Sequence, residues 1–142
     1  MDLLNKTEIV KKDGSSTQGL GSAPKIVLVY FSAHWCPPCR GFTPVLAEFY
    51  KECKAAGNDL ECIFVSSDQD EAGWKSYWES MPWVSVKFGH ENVPALKQHF
   101  GVSGIPKLVA LNGATGAVIS DNGRGDVTSS GPGAYAAWVA KC

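Results

Sequence analysis

The sequence predicts one α/β domain built on a mixed central β-sheet flanked by helices on both faces. Two apolar, β-rich runs, residues 26–31 and 60–66, lie on either side of residues 41–54, which have helical periodicity. A strand, a helix and a strand in this order predict two parallel strands joined by a right-handed crossover. A third apolar run, residues 108–111, precedes a hairpin turn and predicts antiparallel pairing. The length of 142 residues suits one domain with its own core.

The order of elements can be followed along the chain. Residues 1–24 are predicted to be an N-terminal extension ahead of the domain at 25–142, with a short edge strand at 7–12 and a loop at 13–24. Gly57 is a natural C-cap for the first helix. The remaining predicted elements are a helix at 68–80, a turn and short strand at 81–88, a helix at 92–100, a returning strand at 117–120, a loop at 121–134 and a closing helix at 134–141.

Composition and charge exclude several classes of partner. Thirteen basic and fourteen acidic residues give a formal net charge of −1, which argues against a nucleic-acid or anionic membrane surface. No apolar run approaches the roughly 18 residues that span a bilayer, so no membrane partner is expected. The first 16 residues lack the apolar core of a secretory signal, so we expect a reducing compartment, the cytoplasm or the nucleus.

The five cysteines do not resemble a disulfide framework, because their number is odd and their spacing irregular. Cys53 and Cys62 fall in a predicted helix and strand and should be buried, whereas Cys142 should be exposed. Cys36 and Cys39 enclose two prolines where the first strand passes into the first helix. In an intracellular chain, Cys-x-x-Cys in this setting is typical of a redox motif.

Thiol–disulfide exchange needs a thiolate nucleophile and a second thiol that resolves the mixed disulfide. Cys36 precedes the helix, where the dipole and unpaired N–H groups favour a thiolate, so it is predicted to be the exposed nucleophile. Cys39, one turn further in, is the predicted resolving thiol. Pro37 and Pro38 should start the helix rigidly, because proline is tolerated in a first turn. A zinc site is the competing interpretation, but no second ligand pair with zinc spacing follows, and no metal is expected.

Several longer stretches are similar to the tryparedoxin and nucleoredoxin branch of the thioredoxin superfamily. They are YFSAHWCPPCRGFTPVLAEFY at 30–50, VSSD at 65–68, MPW at 81–83 and FGVSGIP at 100–106. The resemblance covers roughly residues 25–140. It implies the thioredoxin fold and a redox-active disulfide between Cys36 and Cys39, with no bound cofactor.

The resemblance also implies a substrate-binding surface. Trp35 matches an exposed aromatic that flanks the substrate, although packing over the helix start would also explain it. Ile105 and Pro106 match a position where a cis-proline faces the dithiol, and a trans proline opening a strand is the alternative. Apart from the resemblance, Arg40 and Lys107 add cations that would favour the Cys36 thiolate or an acidic partner. Arg40 would serve equally as a solvated first-turn residue, and Lys107 departs from relatives, which usually have Thr there.

Two departures from relatives concern the surroundings of the dithiol. Tyr30 stands where typical thioredoxins have a buried Asp, as it does in tryparedoxins, so a different group must assist deprotonation of Cys39. Ser67 and Gln69 replace a Trp and a Glu of tryparedoxins, which argues against trypanothione-type recognition.

These features predict a tryparedoxin-like thiol–disulfide oxidoreductase that acts as a monomer. Its expected clients are proteins that contain disulfides, such as peroxiredoxins. A low-molecular-weight dithiol or a reductase would regenerate the pair from upstream. The alternative function is a nucleoredoxin-like, redox-sensitive binding module with little turnover.

Overall fold

The computed structural model describes residues 2–20 and 24–142. Its elements, in chain order, are α1 (Asp2–Asn5), β1 (Glu8–Val10), β2 (Ser16–Gln18), β3 (Ile26–Ser32), α2 (Pro37–Ala55), β4 (Leu60–Ser66), α3 (Glu71–Trp78), β5 (Val84–Val86), α4 (Val93–His99), β6 (Lys107–Asn112), β7 (Val118–Ser120), α5 (Gly123–Ser130) and α6 (Gly133–Ala140).

One mixed sheet contains these seven strands in the order β2-β1-β5-β4-β3-β6-β7. β3 pairs in parallel with β4 over its full length and antiparallel with β6 on its other side. The parallel pairing confirms the predicted βαβ unit, and β6 pairs antiparallel with β7, which confirms the predicted hairpin. Every residue of β3 is buried, because strands and helices cover it on all sides.

Alternate side chains of β3 enter two apolar cores, one on each face of the sheet. Ile26, Leu28 and Tyr30 face the core that also contains buried residues of α2, α3, α5 and α6. The intervening side chains face a second core, which includes Leu96 of α4 and Leu4 of α1. The predicted placement of helices on both faces is therefore confirmed, and Tyr30 is directed toward α2.

The prediction of a loop at 121–134 is wrong over most of that segment, because α5 forms there. The helix packs on β6 so closely that a Cβ on Gly123 would lie 2.9 Å from Leu108 atoms. Val127 is buried in the core, and the Asp126 carboxylate accepts hydrogen bonds from Ser120 and from a tryptophan indole of α6. Tertiary packing therefore overrides a local composition that favours a loop.

The N-terminal segment also differs from its prediction. β1 lies inside the sheet between β2 and β5 and is not an edge strand. β2 occupies part of the predicted loop at 13–24, of which residues 21–23 lie outside the described residues. The cause is again long-range, since Ile9 pairs with Val86 and its side chain is buried in the second core.

Candidate functional site

The start of α2 carries a disulfide between Cys36 and Cys39. Cys36 is the N-cap residue, with extended backbone angles, and its carbonyl accepts a hydrogen bond from the Arg40 N–H at 3.1 Å. Pro37 and Pro38 occupy the first two helical positions, as predicted. Since proline has no N–H, the N–H of Cys39 is the first one that this helix end offers.

The two cysteines differ less in exposure than we predicted. Cys36 is 5% exposed and Cys39 is fully buried, so the expectation of an exposed Cys36 is wrong for this disulfide form. The reason is that the Cys36 sulfur is bonded to Cys39 and both residues pack against Ala33 and Ile105. Cys36 remains the more accessible of the pair.

The loop before β6 brings a proline to the disulfide from nearly 70 residues away. The Ile105–Pro106 peptide bond is cis, which confirms the geometry implied by the resemblance and excludes the trans alternative. The Ile105 carbonyl oxygen lies 3.9 Å from the Cys36 sulfur. A backbone acceptor therefore adjoins the sulfur that precedes the helix.

Trp35 projects beside the disulfide and is 55% exposed, as expected. Its indole N–H donates to the Ser67 carbonyl at 3.0 Å. The Asp68 carboxylate accepts two further hydrogen bonds, from the His34 N–H and from the Ser66 hydroxyl, each at 2.7 Å. The loop after β4 thus holds the loop that carries Trp35. Sequence reasoning gave Asp68 a place at a helix start but no role at this site, because nothing in the local pattern indicates its partner 34 residues earlier.

Four hydroxyl groups form a buried network behind Cys39. Tyr30 lies 2.7 Å from Thr43 Oγ1 and 3.3 Å from the Cys39 carbonyl oxygen. Thr43 donates to that same carbonyl at 2.9 Å and lies 2.6 Å from the Tyr77 hydroxyl, which lies 2.7 Å from Ser32 Oγ. The network joins β3, α2 and α3, and its members at α2 and α3 also line a groove of about 450 Å³.

Tyr30 contributes no charge to the network at neutral pH. Burial raises the pKa of the Tyr30 hydroxyl well above its ordinary range, so this side chain stays protonated. The position of the buried Asp of typical thioredoxins is therefore occupied by a neutral hydroxyl, which lies within hydrogen-bond distance of Thr43 and of the Cys39 carbonyl. Sequence reasoning noted the substitution at Tyr30 but found none of its partners.

The predicted cations lie near the site but make no ion pair among the contacts described. Arg40 is exposed on the first turns of α2, and Lys107 is partly buried at the start of β6. A third cation was missed: the Arg124 guanidinium lies 5.9 Å from the ring centroid of Phe42, which follows Cys39 by three residues. Arg124 belongs to α5, a segment in which the sequence predicts a loop, so no helical pattern indicated that it would lie beside Phe42.

The other cysteines lie where the sequence placed them. Cys53 and Cys62 are fully buried, and burial raises the pKa of both thiols, while Cys142 is exposed. Within residues 2–20 and 24–142, no group of three or more His, Cys, Asp or Glu side chains is arranged to hold a metal ion. No helix in the described part of the chain is long and apolar enough to cross a membrane.

Comparison with known proteins places this arrangement in a family. The model of a family described as thioredoxin-like matches residues 24–118, which include the disulfide and the cis-proline. The chain belongs to the thioredoxin-like family. Its fold is accordingly the thioredoxin fold predicted from the resemblance, and the redox-active group of this family is the cysteine pair itself.

Tryparedoxins align with this chain over nearly their full length. The tryparedoxin of Trypanosoma brucei brucei is 41% identical over 133 residues, which are 93% of this chain and 91% of that protein. The solved tryparedoxin from Trypanosoma brucei superposes with a TM-score of 0.82 and covers 94% of this chain and 92% of its own. A solved tryparedoxin II in complex with glutathionylspermidine has 35% identity and a TM-score of 0.80, over 87% of this chain and 86% of that one.

Nucleoredoxins match over a smaller part of their length. The probable nucleoredoxin 1 of Arabidopsis thaliana is 42% identical over 127 residues, which are 89% of this chain but 22% of that protein. The chain thus spans about a fifth of that relative. Together with the Cys36–Cys39 disulfide, these homologues support thiol–disulfide oxidoreductase chemistry in this thioredoxin-like chain.

Proposed function

We propose that the chain reduces disulfides in client proteins by dithiol–disulfide exchange through Cys36 and Cys39. One observation carries the proposal: the disulfide at the start of α2 adjoins the backbone carbonyl before cis-Pro106. The helix end favours a thiolate at Cys36, and the neighbouring carbonyl offers an acceptor to an extended client segment.

The exchange proceeds in two steps that balance. The Cys36 thiolate attacks one sulfur of the client disulfide, a new S–S bond forms, and the client's other sulfur leaves and takes up a proton. The Cys39 thiol then loses its proton and attacks Cys36, which forms the internal disulfide and releases the second client thiol. The client gains two electrons and the chain loses two.

Three neighbouring residues form the proposed client-binding surface. Trp35 offers a flat, half-exposed ring beside Cys36, and Ile105 and Pro106 offer backbone on the other side. Arg40 and Lys107 would add positive charge that favours the thiolate and an acidic client. The rigid start that the two prolines give to α2 would keep the spacing of the sulfurs constant.

Peroxiredoxins are the proposed client class, and a low-molecular-weight dithiol or a reductase is the proposed electron donor. The similarity to tryparedoxins, one of them solved with glutathionylspermidine, supports a small thiol as the donor. A reducing compartment such as the cytoplasm would keep the pair reduced and favour this direction of exchange.

Turnover measurements test the proposal directly. The chain is mixed with insulin or a peroxiredoxin, and trypanothione, glutathione and a thioredoxin reductase are compared as donors. Cys36→Ser should abolish turnover, and Cys39→Ser should accumulate a mixed disulfide with the client, detectable by mass spectrometry. Cys142→Ser, which removes an exposed thiol, is the matched control and should leave turnover unchanged. Folded wild-type protein that fails with all three donors would contradict the proposal.

A redox-sensitive binding module is the second candidate, because the nucleoredoxins match at a similar level of identity. Such a module would bind a partner in one oxidation state of the Cys36–Cys39 pair and show negligible turnover. A partner that the reduced chain retains and the oxidised chain releases, without catalysis, would favour this candidate over the enzyme.

A further inference from the structure

Tyr77 reaches from α3 into the hydroxyl network, although it lies 38 positions after Cys39 in the sequence. The side chain is 5% exposed, and its hydroxyl lies 2.6 Å from Thr43 Oγ1 and 2.7 Å from Ser32 Oγ. Thr43 donates to the Cys39 carbonyl at 2.9 Å. A hydroxyl of α3 therefore supports the backbone of the second cysteine through a single intermediary.

The hydrogen bonds of the network depend on one another. The Thr43 hydroxyl has one hydrogen, so when it donates to the Cys39 carbonyl it accepts from both tyrosines. Tyr77 then donates to Thr43 and accepts from Ser32, which is fully buried. Loss of the Tyr77 hydroxyl would leave Thr43 short of a donor and Ser32 without this partner. Such a loss in a buried network weakens the bonds that remain.

The two cysteines have different supports. Cys36 lies outside the helix, its N–H donates to the Ala33 carbonyl at 3.2 Å, and the adjoining loop is held by Asp68. Cys39 lies within the first turn, and the Thr43 hydroxyl of the network donates to its carbonyl. Since the first attack uses one cysteine and the resolving attack the other, a change in the network should affect the second step.

We infer that the Tyr77 hydroxyl is a positioning group for the resolving step, acting through Thr43 on the backbone of Cys39. It holds the first turn of α2 where the Cys39 sulfur meets the mixed disulfide. In this step the Cys39 thiol releases its proton to water and bonds to the Cys36 sulfur, and the client sulfur leaves as a thiol. The inference rests on the proposed function and identifies a group that assists the second of its two exchange steps.

Tyr77→Phe is the decisive variant, because it removes the hydroxyl and keeps the ring. The ring contacts with His34 and Phe64, at centroid distances of 5.7 and 5.5 Å, should persist. Reduced protein is mixed with oxidised glutathione, quenched with acid at successive times, and analysed by mass spectrometry. The adduct on Cys36 should form at the wild-type rate and persist about two- to tenfold longer, the factor that corresponds to one neutral hydrogen bond. Thr43→Val should behave likewise, and Thr43→Ser should restore the wild-type lifetime.

Tyr50→Phe is the matched control, since it deletes a tyrosine hydroxyl in the same core, three turns further along α2. That hydroxyl donates to Glu61 at 2.9 Å and has no contact with the network. The control should resolve the adduct at the wild-type rate. A general loss of stability would lower the melting temperature without lengthening the adduct's lifetime.

The outcomes separate the inference from the proposed function. If Tyr77→Phe resolves at the wild-type rate, if the control slows equally, or if formation of the adduct slows by the same factor, the inference is overturned. If wild-type protein forms no glutathione adduct on Cys36 at all, the proposed function itself is contradicted. A longer lifetime in Tyr77→Phe and Thr43→Val, with recovery in Thr43→Ser, supports the inference.

Discussion

Replacing Trp35 by alanine should weaken client binding and leave folding almost unchanged. The side chain is 55% exposed, so the folded protein loses little by its removal, and the free energy of unfolding should change by less than about 1 kcal/mol. A tryptophan offers up to about 250 Å² of surface, of which roughly 140 Å² would face a client. At about 25 cal/mol per Å², full coverage corresponds to about 3.5 kcal/mol, a ceiling of roughly 400-fold in kcat/KM.

The assay compares kcat/KM for a protein disulfide and for oxidised glutathione, with thermal melting of each variant. We expect a loss of at least about tenfold for the protein client in Trp35→Ala, and a smaller loss for the small disulfide, which covers less of the ring. Trp35→Phe keeps an aromatic face and removes the bond to Ser67, so it should be intermediate. A loss below twofold in Trp35→Ala, or one that follows a large fall in melting temperature, would refute the reasoning.

Three other features give predictions on packing, thiol reactivity and pH. Gly123→Ala should lower the free energy of unfolding by about 1–3 kcal/mol, because its Cβ would come within 2.9 Å of β6. Gly133→Ala, whose Cβ would meet nothing within 4 Å, should be neutral or stabilising in the same denaturant titration, and equal effects would rule out the packing explanation. Iodoacetamide at neutral pH should label Cys142 in the folded, oxidised protein and spare the two buried thiols, because burial shields them and raises their pKa. Intact mass spectra that show label on the buried thiols would contradict this. A hydrogen bond from a serine hydroxyl holds the pKa of the Asp126 carboxyl below its ordinary value. The ionised carboxylate therefore stabilises the fold above about pH 4, and this stabilisation is lost as the pH falls further. The stability difference between wild type and Asp126→Asn should therefore shrink in acid, and a constant difference from pH 6 to pH 2 would argue against it.

The central part of the fold could be predicted from the sequence because its signals are local and strong. The runs that form β3 and β4 are apolar throughout, and the segment between them has a clear helical face. Prolines after Cys36 indicate a helix start at the position where α2 begins. The same residues carry the resemblance to a known branch, and that resemblance is what assigns Pro106 to the site despite its distance along the chain.

The remaining features depend on contacts that no local pattern encodes. α5 contains glycines and polar residues, and it forms because Gly123 allows it to approach β6 closely. The hydroxyl network joins Ser32 to Tyr77 across 45 residues, and neither residue is unusual in its own segment. The burial of Cys36 likewise depends on Ile105, which the sequence around the helix start does not include.

β1 and β2 determine which strand forms one edge of the sheet. β1 covers the edge of β5, where Ile9 and Val10 pair with Val86 and Ser85. Without residues 1–24, β5 would present unpaired backbone groups beside exposed apolar side chains, a ready template for another chain. In the intact sheet the outer strand is instead β2, a short strand of three polar residues, Ser16–Gln18. The predicted N-terminal extension thus covers an apolar edge that could pair with another chain and leaves a polar strand at the edge of the sheet.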